Sequence, residues 1–472
     1  MQFNSLAFLV FFPIVCVLAT LLRGEKHMRL RHIMLLIASY VFYGWWNWKF
    51  CFLMLLMSVV AYICAIAYSR SGKKLPVYIG VIFPLIVLGV FKYFNFFVGS
   101  FCDAFGIANP GTLNIILPVG ISFYSFQAVG YVLDVYHGKI AAEKSFIKLA
   151  LFIAVFFKLA QGPIVKAADF LPQLSEDRNI SLRGIELGVQ YFVFGLFKKI
   201  VLADNISVFV DAVNQAPEAY SALTLILAVY AYGLQLYLDF SGYSDMAVGC
   251  AKCLGYDLSR NFNLPYLSKN ISEFWKRWHI SLSTWLQEYL YISLGGNRCS
   301  RARKNLNLFL TMAIGGLWHG ANWTLVLWGV LHGVALVLHK EFSRIMKTHG
   351  RKTSTVLGTI LSVFLTASFT CFCFMLFKTE TIGKACLYLV RILTWQQGIT
   401  HISFWAVTAL ILTAIASIAA VVRSKKNGTA IEGYYPIVKL DTIKGLTIFF
   451  CFIGLIFGLC YTGETPFIYF QF

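Results

Sequence analysis

Charge is what this sequence lacks most. Asp, Glu, Lys and Arg make up 13% of its 472 residues, against about 25% in a soluble domain. That deficit excludes an ordinary cytosolic enzyme. Proline is sparse too, at 11 residues, and no low-complexity stretch or internal repeat stands out, so the chain is neither collagen-like nor disordered. The absence of a repeat also counts against an inverted-repeat transporter. Twelve cysteines are too few for a disulfide scaffold. Most stand alone in apolar runs (Cys16, Cys64, Cys451, Cys460) and act there as small apolar residues. Cys250 and Cys253 form a single C-x-x-C, a weak metal or redox signal without a second pair. The polar–apolar alternation of an outer-membrane barrel is missing. So are the G-x-S-x-G elbow, the G-x-x-x-x-G-K-[ST] phosphate loop and the H-E-x-x-H zinc pair, which removes a serine hydrolase, an ATP-driven pump and a zincin.

What is present is apolar. Hydrophobic residues account for 58% of the chain and aromatics for 17%, with a mean hydropathy of +0.71. Runs of near-spanning length fall at 5–22, 32–47, 50–68, 76–98, 114–136, 145–160, 186–204, 221–240, 304–321, 323–339, 354–376, 403–422 and 445–464. They predict an all-α polytopic membrane protein with about 11–13 crossings, some of them short or re-entrant. The first run lacks a basic leader and a small-residue cleavage site, so it reads as a retained helix. No linker divides the chain, so 1–472 is one domain, with a motif-bearing core at about 114–340 and C-terminal helices at 354–472.

The formal charge is +19. In such a chain this excess marks cytoplasmic loops, not nucleic-acid binding. Arg23, Lys26, Arg29 and Arg31 follow the first run, Arg70, Lys73 and Lys74 the third, and Lys139 and Lys144 the fifth. Lys340, Arg344, Lys347, Arg351 and Lys352 follow the run at 323–339, and Arg423, Lys425 and Lys426 the run at 403–422. The loop 100–113 has no Lys or Arg. Alternation then puts the N-terminus and the C-terminus outside the cytoplasm.

Segment 255–304 mixes Arg260, Lys269, Lys276 and Arg277 with Phe274, Trp275, Trp278, Trp285, Tyr289 and Tyr291, which suits an interfacial amphipathic helix. Of the nine His, His27, His32, His349 and His401 fall in loops or at helix ends, and His137 lies just beyond a helix. His319 is unusual: in AIGGLWHGANW (313–323) it is the one ionisable group of an apolar helix, a functional candidate by its cost. Gly315, Gly316 and Gly320 beside it allow close helix packing. A satisfied core His and a catalytic base both fit. His332 lies thirteen residues on, about 220° round an ideal helix, with a turn expected at 320–323, so the two need not share a site. His279, forty residues before His319, reads as an interfacial surface His. Asp239 and Asp245 flank a polar stretch, LYLDFSGYSDM, at the end of a span, where it caps a broken helix or lines a polar cavity. Asp134 reads as structural.

These residues sit in strings that resemble the membrane-bound O-acyltransferase family, in its alginate O-acetylation branch. The strings are IASYVFYGWW (37–46), ILPVGISFYSFQAVGYVLDVYHGKI (116–140), LAQGPIVKAADFLPQL (159–174), YLDFSGYSDMAVG (237–249), NFNLPYLSKNISEFWKRWHISLSTWLQEYLYISLGGNR (261–298) and GGLWHGANWTLVLWGVLHG (315–333). They appear in the family's order, and the last two are specific. The resemblance implies tilted helices around a central tunnel and acyl transfer from a cytosolic thioester, acetyl-CoA, to a hydroxyl on the far side. It puts the family's essential His on His319 and its second position on His279, where many eukaryotic members have Asn. QGPIVK (161–166) departs from the A-G-P-I plus Arg of relatives, with Lys166 keeping the cation. Lys276 and Arg277 become candidates for the CoA phosphates, although ordinary positive-inside charge fits them as well. Trp318 and Trp323 become tunnel-lining candidates. No metal is implied. The expected setting is the cell membrane, with a polysaccharide acceptor and an extracytoplasmic SGNH-hydrolase-like partner. Three other readings stay open: the family's D-alanyl branch acting on teichoic acid, a polysaccharide or lipid transporter, and a non-catalytic scaffold.

Overall fold

The structure is a computed structural model that describes residues 1–159, 162–178, 180–348, 355–428, 438–463, 465, 467 and 468. Gln161, His349, Arg351 and Lys352, singled out above, lie outside the described residues. The described chain is helical, with no strand and one isolated bridge between Tyr220 and Ile399.

Helix boundaries follow local chemistry. Ser5, Ser145, Thr355, Thr381, Ser403 and Thr442 each cap a helix by accepting a backbone N–H with the side-chain oxygen. Gly72, Gly106 and Gly428 end helices in the left-handed conformation that suits glycine. Among the described residues, six helices are long and apolar enough to cross a bilayer: Lys49–Ser71, Leu75–Phe105, Ala222–Cys253, Trp323–Met346, Val356–Lys378 and Phe404–Asn427. Leu6–Leu21 and Ile443–Leu459 are apolar but shorter. The protein is therefore a multi-pass membrane protein of the all-α class.

The chain divides into two compact units. Met1–Val193 with Tyr243–Ser259 form the first. Within it, Gly80 on the helix Leu75–Leu88 lies so near Val132 that a Cβ there would stand 3.1 Å from its methyls, which fixes that helix against Ile121–Tyr136. Buried Asp134 pairs with Lys139 at 3.2 Å, in keeping with a structural role. The second unit is Phe194–Gly242 with Arg260–Phe472. Its outer helix Phe404–Asn427 has 17% of its apolar window buried, against 78% for Ala222–Cys253.

Two expectations are corrected here. The polar stretch LYLDFSGYSDM does not end a span; it runs inside the continuous 32-residue helix Ala222–Cys253. Asp239 survives there because Lys199 pairs with it at 2.5 Å and with Asp204 at 2.8 Å, and the Ile468 N–H donates to its second oxygen. Segment 255–304 is not one interfacial helix. It breaks into Ile271–Arg277 and Ile280–Trp285, the latter running on through a π-type turn to Tyr291. Its rings Phe274, Trp278, Trp285 and Tyr289 are buried in protein. His32 lies at a helix end as expected, in the first turns of Met28–Asn47, and is buried there. The helix Ile382–Leu393 has no counterpart among the apolar runs, being too short and amphipathic to register as a span.

Candidate active site

His319 is the last residue of the helix Arg301–His319. The chain turns there because Gly320 is extended and Asn322 starts the next helix, accepting the Thr324 N–H on its side chain at 3.0 Å. The returning helix Trp323–Thr348 packs backbone to backbone on the first. A Cβ on Gly316 would stand 2.4 Å from the Leu325 carbonyl, and one on Gly329 2.4 Å from the Met312 carbonyl. The expected close packing is present: Gly316 faces Gly329, and Gly333 packs against Phe309.

His279 is fully buried, so it is not the surface residue its aromatic–basic neighbourhood suggested. It caps the helix Ile280–Trp285 with a left-handed backbone, φ 42° and ψ 55°. A non-glycine residue rarely adopts this, at a cost of about 1–3 kcal/mol. Segment 261–263 holds it there: the Ile280 N–H donates to the Asn261 carbonyl at 2.9 Å, the Ser281 hydroxyl to the Asn261 side chain at 2.6 Å, and the Asn263 N–H to the Arg277 carbonyl at 2.9 Å. Arg277 completes the clasp. Its Nε donates to Glu273 at 3.0 Å, and its Nη1 to the Asn263 carbonyl at 3.1 Å.

These two turns bring the imidazoles together, with ring centroids 6.5 Å apart. Trp318 lies 6.1 Å from His279 and 5.1 Å from His319. Trp328 and Phe377 each meet His319 edge-on at 5.1 Å and 5.1 Å, and Phe240 meets His279 edge-on at 4.7 Å. His319 is 3% exposed. His279 lies outside the long apolar helices, and burial pushes its ring down to about 3, so it is neutral at physiological pH. A neutral imidazole carries one N–H donor and one acceptor.

His332 joins the same cluster, its ring 4.7 Å from Trp328, within Phe274, Trp275 and Phe369. Neither of its ring nitrogens has a hydrogen-bond partner among the described residues. The helical wheel separated His319 from His332, but the turn at 320–323 folds one helix onto the next and Trp328 bridges them. Of the other candidates, Trp318 is in the cluster and Lys276 is exposed. Arg277 is part-buried in its clasp. Trp323 is 55% exposed. Sequence reading missed Phe240, Trp328 and Phe377, which carry no signal beyond their type. No group of three or more His, Cys, Asp or Glu among the described residues is placed to hold a metal.

The model of the membrane-bound O-acyltransferase family matches residues 140–379. The chain is 42% identical over 350 residues to the probable alginate O-acetylase AlgI of Pseudomonas aeruginosa, covering 72% of this chain and 66% of that protein. It is 35% identical over 399 residues to the peptidoglycan O-acetyltransferase of Helicobacter pylori, covering 78% and 74%. The teichoic acid D-alanyltransferase of Bacillus subtilis is 28% identical over 276 residues, or 56% and 69%. The match spans just under two thirds of the length of the Pseudomonas aeruginosa and Azotobacter vinelandii alginate proteins, at 66% and 64%.

Proposed function

The chain belongs to the membrane-bound O-acyltransferase family, and from that premise we propose that it transfers an acetyl group from cytosolic acetyl-CoA toward a cell-surface polysaccharide, alginate-like or another glycan, with His319 as general base. The observation that carries the reading is the pair of buried imidazoles, 6.5 Å apart at the meeting of two helix turns. The relatives named for O-acetylation are the more similar ones, which favours acetyl over D-alanyl. A donor assay with acetyl-CoA against an aminoacyl carrier protein separates the two. A transporter would move the glycan with no loss of thioester.

The chemistry asks three things of the site. The acceptor hydroxyl must lose a proton, the thioester carbonyl must sit beside it, and the developing oxyanion needs a donor. His319 takes the hydroxyl proton as the oxygen attacks the carbonyl carbon. The carbon–sulfur bond then breaks, and the imidazolium returns the proton to the thiolate. His279, held neutral, suits a hydrogen-bond donor to the oxyanion better than an acid. Trp318 packs against both rings and would keep water out. Lys276 and the remaining N–H groups of Arg277 would meet the CoA phosphates, and Trp323 would line the outer approach. The reactants reach His319 from opposite faces, with both termini extracytoplasmic in the cell membrane. An SGNH-hydrolase-like partner outside completes delivery to the glycan.

Labelled acetyl transfer in membrane vesicles tests the assignment. His319→Ala should lower turnover by about 10²–10⁴-fold at equal protein level. Near-wild-type turnover removes His319 as the base.

A further inference from the structure

The first unit carries a second group of buried polar side chains that acyl transfer does not use. Arg31, 3% exposed, lies in the first turns of the helix Met28–Asn47. Its Nη1 pairs with Asp177 at 3.2 Å and donates to the Arg178 carbonyl at 3.4 Å. Its Nε and Nη2, the side-on fork of the guanidinium, have no acceptor among the described residues. The same holds for the Nε of Arg178, the hydroxyl of Tyr256 and Nε2 of His32. His32 and Tyr256 are, like Arg31, more than nine-tenths buried.

These groups share one neighbourhood. Tyr256 is within electrostatic reach of Arg31, Arg178 and Asp177, and His32 of Arg31 and Lys148. Loop and helix end are tied together. The Gln173 amide donates to the Asp257 carbonyl at 3.0 Å, the Asp257 N–H returns to Gln173 at 2.9 Å, and Arg178 pairs with Asp257 at 3.1 Å. Lys148 donates to Ser175 at 3.0 Å. Asp177, Glu176 and Asp257 take up other edges of the cations, and the remaining polar atoms are left without acceptors among the described residues. A guanidinium fork, a second arginine N–H, a phenol and an imidazole together match an oxyanion with several acceptor atoms.

We propose that Arg31, Arg178, Tyr256 and His32 form a binding site for a phosphate group, carried by a phospholipid headgroup or by a soluble phosphate ester. The site goes beyond the acyl-transfer reading and does not depend on it.

The full chain is purified in detergent with the variants Arg31→Gln, Arg31→Lys and Tyr256→Phe. Native mass spectrometry reads retained phospholipid, and equilibrium dialysis of delipidated protein reads labelled inorganic phosphate. Wild type should hold one phosphate-bearing species. Arg31→Gln and Arg31→Lys should weaken it about tenfold or more, and Tyr256→Phe by about two- to tenfold. A retained lipid lost in the variants identifies the headgroup, and phosphate uptake without retained lipid identifies the soluble ester. If Arg31→Gln does not fold, Tyr256→Phe and Arg31→Lys decide. No phosphate species in either arm, or equal binding by wild type and folded variants, overturns the site and leaves a water-filled cluster. Acetyl transfer, read separately on the same protein, reports on the other assignment.

Discussion

His279 combines a buried ring with a left-handed backbone, and the two can be separated by mutation. Glycine adopts φ 42° without strain, and asparagine tolerates it better than alanine. His279→Gly should melt above His279→Ala, by about 1 kcal/mol. Both should lose transfer if the imidazole is the donor, while His279→Asn should keep more transfer than either. Thermal unfolding beside the acetyl assay reads both effects. Burial lowers the ring to about 3, against about 6.5 in the unfolded chain. Unfolding in that window therefore takes up a proton. The stability tied to the neutral ring is complete above about pH 6.5 and is lost as pH falls toward 3. Wild type should lose melting temperature more steeply than His279→Gln between pH 7 and 4.5. His319 was legible in the sequence as a lone ionisable group in an apolar helix. The burial of His279 was not, because rings mixed with cations look the same whether they face headgroups or one another.

At the scale of elements, the crossing of Arg301–His319 with Trp323–Thr348 rests on Gly316 and Gly329. A valine at Gly316 meets carbonyl oxygen and backbone, which do not yield as a side-chain tip does. Gly316→Val should cost about 1–3 kcal/mol and lower transfer by moving His319. A melting curve and a turnover assay check this together. Lys199 carries the opposite kind of constraint. It holds Asp204 and Asp239 in the interior, so Lys199→Met strands two buried carboxylates and should cost about 3–5 kcal/mol. Denaturation in detergent measures it. The sequence signalled tight packing near Gly316 but not its partner, since spacing along one helix says nothing about the face of the next. The Asp239 pairing was illegible for the same reason: Lys199 stands forty residues away in an apolar run.

For the whole molecule, hydropathy located most helices to within a few residues. Met28–Asn47, Lys49–Ser71 and Val356–Lys378 all fall on apolar runs. It did not separate lipid-facing helices from those buried in protein, because both are apolar, so the polar interior of Ala222–Cys253 looked like an end. The orientation proposed from the basic loops has its own test. A periplasm-dependent reporter should be active when fused in the loop 100–113 and inactive when fused at Lys73, and the reverse pattern would invert the topology. The glycine contact beneath His319 has a further consequence. Main chain, not side-chain bulk, sets the axis that carries this imidazole, so the surrounding rings can be recut independently of it. Trimming Trp328 or Phe377 should open room beside the ring for longer acyl groups while the proposed base stays in register, which makes this aromatic shell a practical starting point for changing acyl selectivity.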